Sequence, residues 1–305
     1  MLRTLGPVQR LSMTPARIRR LLIANVVVQV GIVVTGGVVR LTGSGLGCTT
    51  APECTPGRVT PFSDQHVSIH RVIEFTNRTL TTIVVLVALL TAIAVLRWGR
   101  RSLRVLGVLP LLLTLVQAVL GAITVRTGLN PATVMVHFLV SMVLIAVSTT
   151  LLVRYGEGDG PPRPLVRREL VLTARLAAVV LAGVLVVGTV VTGTGPHAGD
   201  ADNPPRFAIN LRLISWLHSD LVLVFSGLLV ALILGLRLVD APRTAQRAAW
   251  VLGGLTVAQG VIGYTQYFTG LPSVLVGLHM LGASLLVVAM TRCLLALRER
   301  DPKTA

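Results

Sequence analysis

The stretch TGLPSVLVGLH, residues 269–279, has a twin 142 residues earlier, TGLNPATVMVH, residues 127–137. Each opens on Thr-Gly-Leu where one apolar run ends and closes on a histidine inside the next. Glycine suits such an exit because it accepts the left-handed backbone that terminates a helix. Working outward, RVIEFTN (71–77) aligns with RLISWLH (212–218) at an offset of 141, so Arg71 matches Arg212, Ile73 matches Ile214 and Asn77 matches His218. Further Thr-Gly exits occur in GGVVRLTGSGL (36–46) and GTVVTGTGP (188–196). The chain therefore reads as two copies of one unit.

The composition says what that unit sits in. Of 305 residues, 53% are hydrophobic and 13% are charged, which places the chain among polytopic membrane proteins. Eight apolar stretches reach the ~20 residues needed to cross a ~30 Å hydrocarbon core. They run about 21–42, 74–96, 105–126, 132–153, 174–194, 213–236, 248–268 and 273–295. Four helices per copy is an even number, so both copies share one orientation, as in a parallel repeat about the membrane normal. The expected fold is an all-α polytopic membrane protein of eight transmembrane helices, arranged as two tandem, pseudo-symmetric four-helix bundles. Segment 1–20 precedes the first bundle (21–153), a linker (154–174) leads to the second (175–295), and 296–305 is a tail.

The net charge of +16 suggests nucleic acid at first sight. The arginines instead lie in short segments between apolar runs, which the positive-inside rule explains, so no nucleic-acid partner is expected. The N-terminus, the even-numbered connections and the C-terminal end hold 21 of the 28 basic residues. Both termini are thus expected in the cytoplasm, with the bilayer of a bacterial plasma membrane around the helices. Residues 21–42 lack a small-residue cleavage site and read as a first helix rather than a removable signal. Cys48 and Cys54 fall in the first outer loop, on the oxidising side. A disulfide is expected there, with two free thiols as the alternative. Cys293 reads as a small apolar residue near the end of the last helix.

Ionisable groups inside a membrane span are costly and by default mark function. His218 and His279 lie on the second and fourth helices of the second copy, at similar depth. Two imidazoles facing each other across a bundle suit a haem iron with two axial ligands. The plain alternative is that each bonds a neighbouring helix. Zinc fits less well, since it needs three or four close N, S or O ligands. Haem propionates need cations, and Arg40, Arg71, Arg78, Arg126 and Arg212 crowd the outer side. Interfacial snorkelling is the competing account of those arginines. In the first copy His137 keeps its place, but its partner position is Asn77, with Glu74 and His70 on the same helix face. That half reads as a reacting site, in which Glu74 acts as a base or stabilises positive charge. A structural ion pair of Glu74 with Arg71 or Arg78 is the alternative. His66, His197 and Asp220 receive no role.

GGVVRLTGSGLGC, IEFTNR, VTGTGPHAGD, WLHSDL and GLHMLG together resemble the haem A synthase family, in particular its actinobacterial form. The resemblance runs from about 21 to 295. It implies an oxidoreductase acting on a CH group, which converts the C-8 methyl of haem O to the formyl of haem A for cytochrome oxidase biogenesis, with water as oxygen source. It also implies haem b as cofactor in the second bundle, on His218 and His279. His137 would be a ligand on the substrate side, Glu74 the catalytic carboxylate, and Cys48 and Cys54 the family's loop pair. Asn77 departs from the family, which has a histidine there; either the substrate iron has one protein ligand, or His70, ~10 Å away along the helix, binds it in a different frame. Haem O synthase (protohaem farnesyltransferase) is the expected source of substrate, and an electron acceptor is required without being identified. The oligomeric state, a homo-oligomer among the options, is not legible. The rival is a diheme b-type electron-transfer protein, linked to quinol, that modifies no haem.

Overall fold

The computed structural model describes residues 13–60, 68–200 and 204–301. Eight long helices dominate it: α1 Pro15–Leu41, α2 Ile69–Trp98, α3 Arg104–Arg126, α4 Pro131–Gly156, α5 Arg168–Thr194, α6 Leu211–Leu238, α7 Arg243–Phe268 and α8 Ser273–Ala296. Their starts follow local chemistry. Thr14, Ser68, Asn130 and Asn210 each accept a backbone N–H from the first turn of the helix they precede. Pro15 and Pro131 open their helices, where the missing N–H costs nothing.

The repeated Thr-Gly-Leu makes the same turn twice. Gly128 and Leu129 have φ of 60° and 59°, and Gly270 and Leu271 have 78° and 61°. Leu129 N–H bonds Thr124 O at 2.9 Å, and Leu271 N–H bonds Gln266 O at 2.7 Å, the bond of a helix closed by left-handed residues. Two left-handed residues in succession fold α3 back onto α4 and α7 back onto α8.

Seven of the helices, all except α7, are long and apolar enough to cross a membrane. α7 has the length but carries Gln246, Arg247, Gln259 and Gln266. The protein is a multi-pass membrane protein, and its outer faces fit that solvent. Val105, Leu213, Leu238, Phe268 and Val274 expose most of their surface. In a bilayer such residues meet lipid rather than water.

α1 packs on α2 and α4, and α3 lies between α2 and α4. In the same way α5 packs on α6 and α8, with α7 between those two. The two sets meet where α8 lies against α1 and α4, and α4 against α5. Small residues permit close helix approach where lipid removes the usual hydrophobic drive. Ala174, Ala177, Ala245 and Ala249 serve that purpose, each fully buried.

Both ends are stitched. At one end Ser44 pairs with Asp200 in an antiparallel bridge, and Gly45 N–H bonds Gly199 O at 2.8 Å. A Cβ on Gly45 would lie 2.8 Å from that carbonyl, so only glycine fits. At the other end two short strands, β1 (Pro162–Pro164) and β2 (Arg298–Arg300), pair antiparallel and tie the α4–α5 connection to the C-terminal segment. Glu157 there meets Arg154 at 2.9 Å and both Arg298 and Arg300 at 3.6 Å.

Helix starts differ from the sequence expectation. α1 begins at Pro15 rather than 21, α2 at Ile69 rather than 74, and α5 at Arg168 rather than 174. In each case polar residues extend the helix beyond its apolar run, to where a cap or turn stops it.

Candidate functional site

A cavity of about 2130 Å³ occupies the middle of the molecule and draws walls from both helix sets. Single small-molecule sites commonly have ~300–1,000 Å³, so this one has room for more than one ligand. His137, His218 and His279 all line it.

The three histidines are held alike. Each ring lies over a glycine of the preceding helix. A Cβ on Gly121 would be 3.5 Å from His137 Cε1, one on Gly263 would be 3.3 Å from His279 Cε1, and one on Gly188 only 2.9 Å from His218 Cε1. Gln117 Nε2 donates to His137 O at 2.9 Å, and Gln259 Nε2 donates to His279 O at 3.0 Å. Gln117 and Gln259, like Gly121 and Gly263, are related by the same offset of 142. The sequence reading missed both glutamines. Extending the Thr-Gly-Leu alignment ten residues towards the N-terminus would have found them.

In the His137 and His279 rings Nδ1 is buried with no hydrogen-bond partner in the protein, and the His218 ring lies against the Val184 backbone. His279 and His218 are close enough to interact electrostatically. A neutral imidazole offers one donor and one lone pair. Two such rings, packed on glycine notches in a large apolar cavity, fit the donor set of a haem iron with two axial histidines.

The first half differs. Glu74 is 4% exposed and lies at the cavity wall. Its Oε2 accepts the Cys48 N–H at 2.6 Å. Its Oε1 accepts from Arg78 Nε at 3.1 Å and forms an ion pair with the same guanidinium. Arg78 continues to the carbonyls of Thr50 at 2.6 Å, Glu53 at 3.1 Å and Cys48 at 3.2 Å. Cys48 and Cys54 form a disulfide. The carboxylate and the arginine thus clamp the small disulfide loop onto α2. The ion pair weighed from sequence is present, and its partner is Arg78.

The remaining candidates separate into two groups. Arg40, Asn77, Arg78 and Arg126 line the cavity with Glu74. Asn77 Oδ1 accepts from Thr35 Oγ1 at 2.7 Å, across α1 and α2. Arg40 donates to His197 O at 2.6 Å and to Thr192 O at 2.9 Å, spanning the two halves. Arg126 donates to Ala51 O at 3.1 Å, in the disulfide loop. His70, Arg71 and Arg212 are not among the lining residues. His70 Nδ1 pairs with Ser44 Oγ at 3.0 Å. Arg212 lies over the Trp216 ring at 4.7 Å.

His197, left as a loop residue by sequence, is a cavity wall whose Nε2 is 2.9 Å from Leu271 O. Asp220 is exposed on α6 and is not among the cavity-lining residues. His66 lies outside the described residues.

These features define a helical membrane protein with a histidine-lined cavity shared between its two helix sets. The chain belongs to the cytochrome oxidase assembly protein family COX15-CtaA, whose model matches residues 19–202. Among its relatives, a Heme A synthase of Bacillus pumilus (strain SAFR-032) is 30% identical over 155 residues, which is 49% of this chain and 48% of that protein. A Heme A synthase of Listeria monocytogenes serovar 1/2a is 28% identical over 153 residues, 50% of this chain and 48% of its own. One from Halalkalibacterium halodurans is 30% identical over 154 residues, 48% of this chain and 49% of its own. The chain spans about half the length of the curated relatives it matches.

Proposed function

We propose that this protein is a haem A synthase, which oxidises the C-8 methyl of haem O to a formyl group. The observation that carries the reading is the broken symmetry of the cavity. His137 and His279 share a glycine notch and a glutamine bond, while the position opposite is His218 in one half and Asn77, one turn from Glu74, in the other. Conserved architecture with a changed chemical group is what two haem sites of different duty require.

In this reading all eight helices cross the membrane as two tandem four-helix bundles, 21–153 and 175–295, joined by 154–174. Both termini are cytoplasmic, which follows from the arginine distribution. His218 and His279 of the second bundle would hold haem b, and that group would supply one-electron redox chemistry when bound. The first bundle takes haem O, with His137 to its iron.

Arg40 and Arg126 receive the propionates, and Arg78 lies behind Glu74 at the same wall. Arginine suits the task because its fork matches a carboxylate. Asn77 presents an amide where a second ligand would otherwise bind, which leaves one side of the substrate accessible. His70 is held on Ser44 Oγ and takes no ligand role while that bond stands.

Replacing a methyl by a formyl group with water as oxygen donor releases protons and electrons in two two-electron steps. Glu74 accepts the protons at Oε1 or Oε2, and a separate acceptor takes the electrons. The disulfide loop fixes the carboxylate through the Cys48 N–H and Arg78, so its position does not depend on substrate. Haem O would arrive from a haem O synthase.

The engagement of both Glu74 oxygens also favours a second reading, in which the carboxylate is purely structural and the protein is a diheme electron-transfer carrier. Expression alone and together with a haem O synthase, followed by extraction and mass identification of the bound haems, separates the two. Haem A or its hydroxylated precursor, formed only when haem O is supplied, is the expected result. Haem b alone in both samples of folded protein would establish the carrier.

A further inference from the structure

Below the cavity, the two halves have unlike interiors. In the second half the floor gives way to an apolar core of Ala177, Leu232, Ala249, Leu252 and Met290, all 3% exposed or less. In the first half the same level is polar. Gln29 (2% exposed) and Thr114 (3%) line the cavity floor, and Gln29 Nε2 donates to Thr114 Oγ1 at 3.1 Å. One turn further along α1, on the same face, Asn25 (0%) donates from Nδ2 to Ser148 Oγ at 3.0 Å. Thr149 (1%) follows Ser148, and Thr91 (0%) lies at a similar depth on α2. Positions 91 of 69–98 and 149 of 131–156 are both about 10 Å from the same end of the molecule, at ~1.5 Å per residue.

Three atoms of this layer have no protein partner: Asn25 Oδ1, Thr91 Oγ1 and Thr149 Oγ1. Other helical threonines avoid that state. Thr81, Thr124 and Thr150 bond back to a carbonyl one turn earlier. Thr256 in the second half bonds back to Leu252 O, and Ser284 to Met280 O. Buried polar atoms are satisfied by protein or by internal water, and a water needs two to four polar contacts. Beyond the layer Ile18, Leu22, Val95, Leu103 and Leu151, each 2% exposed or less, form an apolar plug that seals it from the helix ends.

We propose that Asn25, Gln29, Thr91, Thr114, Ser148 and Thr149 form a water-binding chamber that opens to the first-half cavity and is closed at its far end. Resting on the haem A synthase reading, the chamber is the store from which water reaches the substrate methyl, while the protons released there go to Glu74. In the second half the buried hydroxyls of Thr256 and Ser284 are satisfied within their own helices, in keeping with a bundle that holds a cofactor and carries out no hydration chemistry. The competing account is dry polar glue between α1, α3 and α4, a common use of such side chains in membranes.

The test uses full-length protein in lipid bilayers, with Cys293→Ala as background. Ser148→Cys, Thr149→Cys and, as a dry-core control, Ala249→Cys are exposed to silver ion, a small water-borne thiol reagent. The protein is then denatured and the surviving thiols are counted with a maleimide. Loss of maleimide labelling at 148 and 149, with retention at 249, is expected. Retention at all three positions in folded protein overturns the chamber, as does equal loss at all three. Thr149→Val gives an independent check that needs no thiol. A fall in Tm is expected, because the bound water loses a partner. An unchanged or higher Tm would mean that the hydroxyl was dry. Thiol protection does not depend on haem chemistry. A chamber that labels as expected in a protein that makes no haem A would therefore leave the hydration site standing and remove the function.

Discussion

The two halves of this molecule close their third and seventh helices on the same Thr-Gly-Leu and seat the following histidine in the same notch. They differ in the residue at the position of His218 and in what lies beneath the cavity. The second half answers His279 with His218 and fills its core with alanine and leucine. The first half has Asn77 at the sequence position that matches His218, brings Glu74 to the wall, and continues into a polar layer. Under the proposed function, the elements that position a ligand are kept in both halves and those that react with it are changed. Glycine notches and helix turns are costly to alter because neighbouring backbone fixes them. Side chains that face a cavity have fewer such constraints.

That comparison can be broken most sharply at Glu74. Glu74→Gln is expected to lower haem O oxidation by about 10²–10⁴, the usual worth of a general acid–base group. Haem b content should stay normal. Turnover at the wild-type rate would reduce Glu74 to a clamp for the disulfide loop. Arg78→Lys probes the clamp separately, because a lysine cannot reach the three loop carbonyls and the carboxylate together. Slower turnover with a disulfide loop more open to proteolysis is expected.

A smaller effect sharpens the comparison at the notches. Gly188→Ala would place a methyl 2.9 Å from His218 Cε1, whereas Gly121→Ala would place one at an ordinary 3.5 Å from His137 Cε1. The first should cost about 1–3 kcal/mol through overpacking and perturb the haem b absorption band. The second should do little to either thermal stability or spectrum. Equal effects would show that the two notches do not grip their rings as described. The smallest effect belongs to the glutamines. Gln117→Leu and Gln259→Leu should each cost about 0.6 kcal/mol, the average for polar contacts in membrane bundles, read as a Tm shift. Similar losses at both positions would support the equivalence of His137 and His279.

Much of this was legible before any coordinates. The offset of 142 between the two Thr-Gly-Leu stretches located the matching turns and the histidines that follow them. The Cys48–Cys54 pairing could be read from spacing and side of the membrane. Helix starts were less legible, because hydropathy marks apolar runs whereas Thr14 and Ser68 set the first turns by capping. The polar site was legible only in part. The i, i+4 relation of Glu74 and Arg78 is visible in sequence, but the Cys48 N–H that completes the carboxylate's shell comes from a loop 26 residues away. His70 shares a helix face with Glu74 yet turns to Ser44, because the disulfide loop passes directly over it. A Cβ on Gly47 would lie 2.6 Å from His70 O. Asn25 and Gln29 were passed over because two amides in an apolar helix carry no motif. Their meaning appears only when Ser148 and Thr114 arrive from other helices.

The central claim, that one half holds a cofactor and the other a substrate, is tested most directly by asking which haem each histidine retains. His218→Ala and His137→Ala proteins would be expressed with a haem O synthase, purified in folded form, and their extracted haems identified by mass. His218→Ala should lose haem b and keep haem O, while His137→Ala should keep haem b and lose haem O and its oxidised products. Loss of the same haem from both variants, or the reverse assignment, would contradict the division of labour between the halves.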